Sequence, residues 1–180
     1  TRNTIQAVYT DEEMQIVFLD TPGIHKPKNK LGEFMVKAAT EAFKNVDLIL
    51  FVVDDSKKIG PGDRKIIEDL RSVKTPIILV VNKIDQLDQK DELFDIIKMY
   101  DREGIFKEIV PISALKGKNT DTLIKVIQNY LEEGPKYFPD YMITDQPERV
   151  LIAELIREKV LHYLNDEIPH GVAVEIEIGR

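Results

Sequence analysis

The sequence predicts an α/β fold, a mostly parallel sheet with helices on both faces. Two observations carry this. Short apolar runs, Ile16-Val17-Phe18-Leu19, residues 48–53 and Ile77-Ile78-Leu79-Val80-Val81, read as strands with both faces covered. Between them lie segments whose apolar residues recur at helical spacing. Strands and helices that alternate in this way form βα units, and βα units build parallel sheets.

Residues 4–9 and 14–19 are β-rich and separated by a short polar connection, which predicts a hairpin. Phe34, Met35, Ala38, Ala39 and Ala42 then mark a helix, and residues 47–53 a buried strand. Pro61 sits where a helix can begin, with Ile66, Ile67 and Leu70 on one face. The strand 76–81 follows, then a helix carrying Leu93, Ile96, Ile97 and Tyr100, for which Asp88 is the expected N-cap. A strand at 108–112 precedes a helix from about Thr120 with Leu123, Ile124, Ile127 and Leu131, which Gly134 is placed to end. Residues 135–147 change character, with three prolines, three aromatics and no helical period, and read as an ordered linker. An amphipathic helix at 149–164 and an alternating strand at 172–178 read as the first portion of a second domain.

Composition bounds the function. The chain of 180 residues is long enough for one domain, or one and part of another, and 43% hydrophobic with 32% charged residues is ordinary for a soluble globular protein. Its longest apolar run, residues 48–53, falls far short of the roughly 20 needed to span a bilayer. With no cysteine there are no disulfides, thiolate ligands or Cys nucleophile, which agrees with the cytoplasm. A net charge of −7 argues against a globally basic nucleic-acid binder. Thr1-Arg2-Asn3-Thr4 carries no leader pattern and no initiator Met, so the chain is read as starting inside a longer protein.

Three turns at expected strand ends carry chemistry. In Asp20-Thr21-Pro22-Gly23-Ile24, a carboxylate at a strand end can hold Mg²⁺ through a water, and Gly23, with no Cβ, lets its N–H approach a phosphate. The same four residues are also simply a favourable turn. In Asn82-Lys83-Ile84-Asp85, one carboxylate can accept from both N1–H and the exocyclic amino group of guanine, a donor pair that adenine lacks. Asn82 can bond the base and neighbouring loops, and the methylene stem of Lys83 can cover the ring; a plain surface turn has the same composition. Ser113-Ala114-Leu115 follows the strand at 108–112, where the Ala114 N–H would meet guanine O6. Each is weak alone. Their order, and their separation by whole βα units, gives them weight.

On these motifs the chain resembles the translation-factor-related class of P-loop GTPases, and within it the Era-like family. Thr1-Arg2-Asn3 is similar to the end of that family's first switch, with Thr1 matching its Mg²⁺-binding threonine; residues 23–32 are similar to its second switch. Residues 148–178 resemble the start of its C-terminal KH domain, an α+β RNA-binding fold. The resemblance implies a GTPase domain over 1–134, a linker at 135–147 and the N-terminal part of a KH domain at 148–180. The family's Gly-x-x-x-x-Gly-Lys-Ser/Thr phosphate loop and its preceding strand do not occur in the chain, nor does the KH Gly-x-x-Gly loop. Without the phosphate loop, these 180 residues are expected to bind GTP feebly, and their own hydrolytic activity stays open.

For the complete protein the resemblance implies hydrolysis of GTP to GDP and phosphate, with GTP/GDP and Mg²⁺ as ligands. Thr1 and Asp20 would serve the metal, and Thr21, Pro22, Gly23 and Ile24 the phosphate switch. Asn82, Lys83, Ile84, Asp85, Ser113, Ala114 and Leu115 would serve the base. No catalytic group can be named, because Ile24 stands where many GTPases carry a water-orienting Gln. Nucleotide state would gate binding to small-subunit ribosomal RNA and the 30S subunit in ribosome assembly. A monomer is implied, in the cytoplasm, with peripheral contact at the inner membrane face. The alternative is a non-catalytic RNA-binding assembly factor that uses guanine nucleotide only as a ligand.

Overall fold

A computed structural model describes residues 6–19 and 46–143. The chain divides into two compact units, Thr21–Pro135 and a second formed by Thr1–Asp20 with Lys136–Arg180. The expected helix around Phe34–Ala42 and everything beyond residue 143 lie outside the described residues.

Within Thr21–Pro135, the order is β3 (Ile49–Val53), α1 (Pro61–Leu70), β4 (Ile77–Val81), a single 3₁₀ turn (Ile84–Gln86), α2 (Lys90–Asp101), β5 (Glu108–Pro111) and α3 (Thr120–Gln128). Strands β3, β4 and β5 form a parallel sheet with β4 in the centre. All five β4 residues are buried, which is why that segment reads as a continuous apolar run and not an alternating one. Isoleucine and valine suit this position because their branched Cβ packs well on a pleated surface.

The two faces of the sheet have separate cores. Phe51, Leu79 and Val81 pack with Ile67 and Leu70 of α1 and Ile96 and Tyr100 of α2. Ile78, Val80 and Val110 pack with Leu123 and Val126 of α3 on the other face. The expected sheet covered by helices on both faces is therefore present. On β3 the cover is incomplete, since Val52 is 58% exposed, where the sequence predicts a strand buried on both faces. Burial of Tyr100 raises its phenol to about 12.

Helix α1 begins at Pro61 as expected, the proline occupying the first turn where its missing N–H costs nothing. Glu103, in the turn after α2, pairs with Arg64 at 2.6 Å and Arg71 at 2.8 Å and so ties α1 to that turn.

Two boundaries differ from the sequence reading. The N-cap of α2 is Gln89, not Asp88. No side chain caps the first turn of α2; instead Glu92, in that turn, reaches back to accept the Asp88 N–H at 3.2 Å. Helix α3 stops at Gln128, well before Gly134, leaving Leu131 beyond it. Just past the helix end, Tyr130 donates to Glu108 of β5 at 3.1 Å.

In the other unit, β1 (Gln6–Thr10) and β2 (Gln15–Leu19) form the expected antiparallel hairpin, Thr10 opposite Gln15. Asp11 closes the turn by accepting from Glu13 N–H at 2.9 Å and Met14 N–H at 2.8 Å. Val8 donates its N–H to the Ile143 carbonyl at 2.7 Å, so the expected linker meets the outer edge of β1 at Ile143.

Candidate functional site

The site is built by strand register. Val53 pairs with Val81 and Val81 with Pro111, so β3, β4 and β5 end level with one another. The hydrogen-bond ladder continues one step past the strands: Asn82 N–H donates to the Val53 carbonyl and Ile112 N–H to the Val81 carbonyl, both at 2.8 Å. Two loops then leave the carboxyl end of the sheet side by side. Crevices outside such ends are where open parallel sheets bind ligands.

The first loop turns at Lys83, whose φ of 63° is left-handed. That conformation costs a non-glycine residue about 1 kcal/mol, and such strain collects at functional positions. It starts the 3₁₀ turn that carries Asp85. Ile84 packs against the α1–α2 core and its N–H donates to the Ile112 carbonyl at 3.2 Å, which anchors the loop from below. Lys83 and Asp85 stay exposed.

The second loop, residues 113–118, is tight. Ser113 and Lys118 exchange both backbone hydrogen bonds at 3.0 Å, with Gly117 at φ 65° and Asn119 at φ 59° making the reversal. Asn119 also donates to the Pro111 carbonyl at 3.0 Å. Sequence reasoning passed over Lys116, Gly117, Lys118 and Asn119. A glycine and an asparagine two apart among polar residues were the signal, since both tolerate left-handed backbone.

Side chains join the loops. The buried Ser113 hydroxyl donates to Asp85 Oδ1 and accepts the Lys116 N–H at 3.2 Å, so its rotation is fixed from both sides. The Ser113 bond is the chief reason the Asp85 carboxyl lies below its ordinary value; a small desolvation opposes the shift, while Lys116 and Lys83 add to it. A carboxylate with roughly four acceptor positions keeps most of them after one such bond. It can accept a pair of N–H donors on one ligand edge.

Asn82 Oδ1 accepts the Ala114 N–H at 3.0 Å. The N–H expected to meet a base is therefore engaged within the protein, and Asn82 acts as a strut between the loops. Leu115 stands beside them at 81% exposure. Asn82, Lys83, Ile84, Asp85, Ser113, Ala114 and Leu115 are brought to one end of the sheet. Thr1, Asp20, Thr21, Pro22, Gly23 and Ile24 lie outside the described residues. Among the described residues no group of three His, Asp or Glu side chains could hold a metal ion.

The model of the elongation factor Tu GTP binding domain family matches residues 1–133. The chain belongs to that family. It is 61% identical over its whole length to the GTPase Era of Alkaliphilus metalliredigens, covering 61% of that protein. A solved structure of Era in complex with MgGDPNP and nucleotides 1506–1542 of 16S ribosomal RNA is 42% identical, with a TM-score of 0.78 over 89% of this chain and 55% of that one. A variant of Aquifex aeolicus Era bound to GDP·AlF4⁻ is 41% identical, with a TM-score of 0.75 over 90% of this chain and 56% of that one. The chain spans about three fifths of the curated relatives it matches. As a member of the GTP-binding family it has the α/β class and mostly parallel sheet that its sequence predicts.

Proposed function

We propose that this chain belongs to a GTP-binding and GTP-hydrolysing switch protein that couples nucleotide state to small-subunit ribosomal RNA. The observation that carries the proposal is the Asp85 carboxylate, hydrogen-bonded to the buried Ser113 hydroxyl at the carboxyl end of a parallel sheet. Asp85 reads guanine through N1–H and the exocyclic amine, while Asn82 braces the Ser113–Leu115 loop and Lys83 covers the ring. Adenine would leave Asp85 without donors, and a desolvated acceptor without a donor is costly.

The reaction is attack of water on the γ-phosphate. Gly23 contributes an N–H toward that phosphate, with Thr21, Pro22 and Ile24 forming the switch turn around it. Thr1, and Asp20 through a water, would hold a Mg²⁺ that neutralises phosphate charge. The similarity to an Era structure carrying MgGDPNP and ribosomal RNA supports both ligand and partner.

The wider reading has the same basis. Residues 1–134 form the GTPase domain, 135–147 its linker, and 148–180 the start of a KH domain through which RNA of the 30S subunit is met. The protein works as a monomer in the cytoplasm, with peripheral contact at the inner membrane face. A second reading, an assembly factor that binds nucleotide without hydrolysing it, is favoured by Ile24, whose side chain cannot orient water. Single-turnover hydrolysis with and without the RNA separates the two, since a pure binder shows no rate above buffer.

Asp85→Asn in the full-length protein tests the base assignment. It replaces one acceptor with a donor and should shift preference from GTP toward xanthosine triphosphate, which presents a carbonyl at that position. Unchanged GTP affinity in the variant would remove Asp85 from the site.

A further inference from the structure

Gln15 makes four hydrogen bonds through one side-chain amide. Its Oε1 accepts the Tyr137 N–H at 3.0 Å and the Phe138 N–H at 2.9 Å, while its Nε2 donates to the Phe138 carbonyl at 2.9 Å and Thr10 Oγ1 at 3.0 Å. Two acceptor positions and two donors are all a primary amide offers, so the group is saturated and its orientation is forced. Lys136 adds a bond to the Asp11 carbonyl at 3.3 Å, and Val8 N–H one to the Ile143 carbonyl at 2.7 Å.

All of these partners lie within one compact unit, and five of these bonds bind residues 136–143 to the β1–β2 hairpin. The chain on either side gives the contact its meaning. Upstream of β1 is Thr1 and downstream of β2 is Asp20, the residues proposed above for the two nucleotide switches. Downstream of Ile143 is the segment proposed to meet RNA. A hairpin between two switches therefore grips the strap that leads to the RNA-binding part.

We propose that Gln15 is the latch that transmits nucleotide state to the C-terminal segment, by making residues 136–143 follow the hairpin. This rests on the functional reading above. A ligand can shift a segment only through contacts that differ between its states; the switches flanking the hairpin would supply that difference, and the Gln15 bonds, made to backbone and so independent of the linker's side chains, would carry the hairpin's displacement to residues 136–143. Backbone recognition suits a strap that must be held in one register, since sliding by a residue would set the Gln15 amide against the wrong groups.

The test uses the full-length protein and a fragment of 16S ribosomal RNA like that bound by the solved relative. Gln15→Met keeps the length and removes all four bonds. Amide exchange at Tyr137 and Phe138 should rise at least about tenfold, as for loss of one or two hydrogen bonds, while amides of β4 keep their rates. The ratio of RNA affinities in the GTP-analogue and GDP states should fall toward one. Gln15→Glu keeps the two N–H contacts but sets an oxygen against the Phe138 carbonyl, and should lie between Gln15→Met and wild type on both measures.

Unchanged exchange in Gln15→Met overturns the latch, and so does faster exchange with the affinity ratio intact, which would make Gln15 a static joint. A Gln15→Met protein that does not fold leaves the decision to Gln15→Glu, whose ratio must then fall below wild type. If wild-type RNA affinity is indifferent to nucleotide, the functional reading falls with the latch; a wild-type difference that survives Gln15→Met sinks the latch alone.

Discussion

The Ser113 hydroxyl donates a hydrogen bond to Asp85 Oδ1, joining two loops whose residues lie 28 positions apart in the chain. Ser113 is fully buried and Asp85 is exposed, so the bond reaches from the end of the sheet core to a carboxylate at its surface. The acidic residue is fixed by the fold and not by its own loop. A preset acceptor spares the ligand the cost of ordering it.

Ser113→Ala is therefore expected to weaken guanine-nucleotide binding by about fivefold in the full-length protein, the size of one hydrogen bond to a charged group's loop. Preference for guanine over xanthine should not change, because Asp85 remains. The pH profile gives a second reading. Asp85 has a depressed folded pKa, so its charge persists as pH falls below the ordinary value of 3.8. Without the Ser113 bond the pKa moves up, and the acid loss of affinity should begin at higher pH than in wild type. Fluorescent-nucleotide titration across pH decides it; superimposable profiles would mean that Ser113 does not hold the carboxylate.

A second titration concerns the hairpin turn. Hydrogen bonds from the Met14 and then the Glu13 backbone lower the Asp11 carboxyl from its ordinary 3.8. A depressed carboxylate contributes stability above its unfolded pKa and loses it as pH falls through the folded one. The Glu13 and Met14 amide resonances should hold steady down to about pH 4, near that ordinary carboxylate value, and move only below it. Asp11→Asn keeps an acceptor and should abolish the movement. Amide shifts that track an ordinary glutamate midpoint instead would place the titrating group elsewhere.

How much of this was legible follows from how far each determinant lies along the chain. The β4 run, the Pro61 start of α1 and the hairpin turn at Asp11 are set by neighbours within a few residues, and periodicity or turn chemistry finds them. Gly134 misled because the helix ends at Gln128, and the residue just past that end, Tyr130, is bonded to Glu108, a partner that the local sequence does not reveal. The capping of α2 failed for a smaller reason: the helix begins one residue later, behind Gln89, and the Asp88 N–H is taken up by Glu92 of the first turn. At the site, Asn82, Asp85 and Ser113 were found as residue types. The engagement of Ala114 by Asn82 was not, because it depends on two loops meeting at one strand register.

Lys83 separates strain from function. At φ 63° its backbone is one that glycine adopts freely and lysine does at a cost of roughly 1 kcal/mol. Lys83→Gly relieves that cost, partly offset by the greater freedom glycine has when unfolded. The melting temperature of the full-length protein should hold or rise by up to a few degrees. Nucleotide affinity should nevertheless fall, about tenfold, because the methylene stem that would cover the base is gone; the apolar area lost, on the order of 50 Å², accounts for most of that. Thermal unfolding and nucleotide titration on one preparation give both numbers. If the melting temperature drops by several degrees, Lys83 is a structural residue; if stability holds and affinity does too, its side chain does not lie over the base.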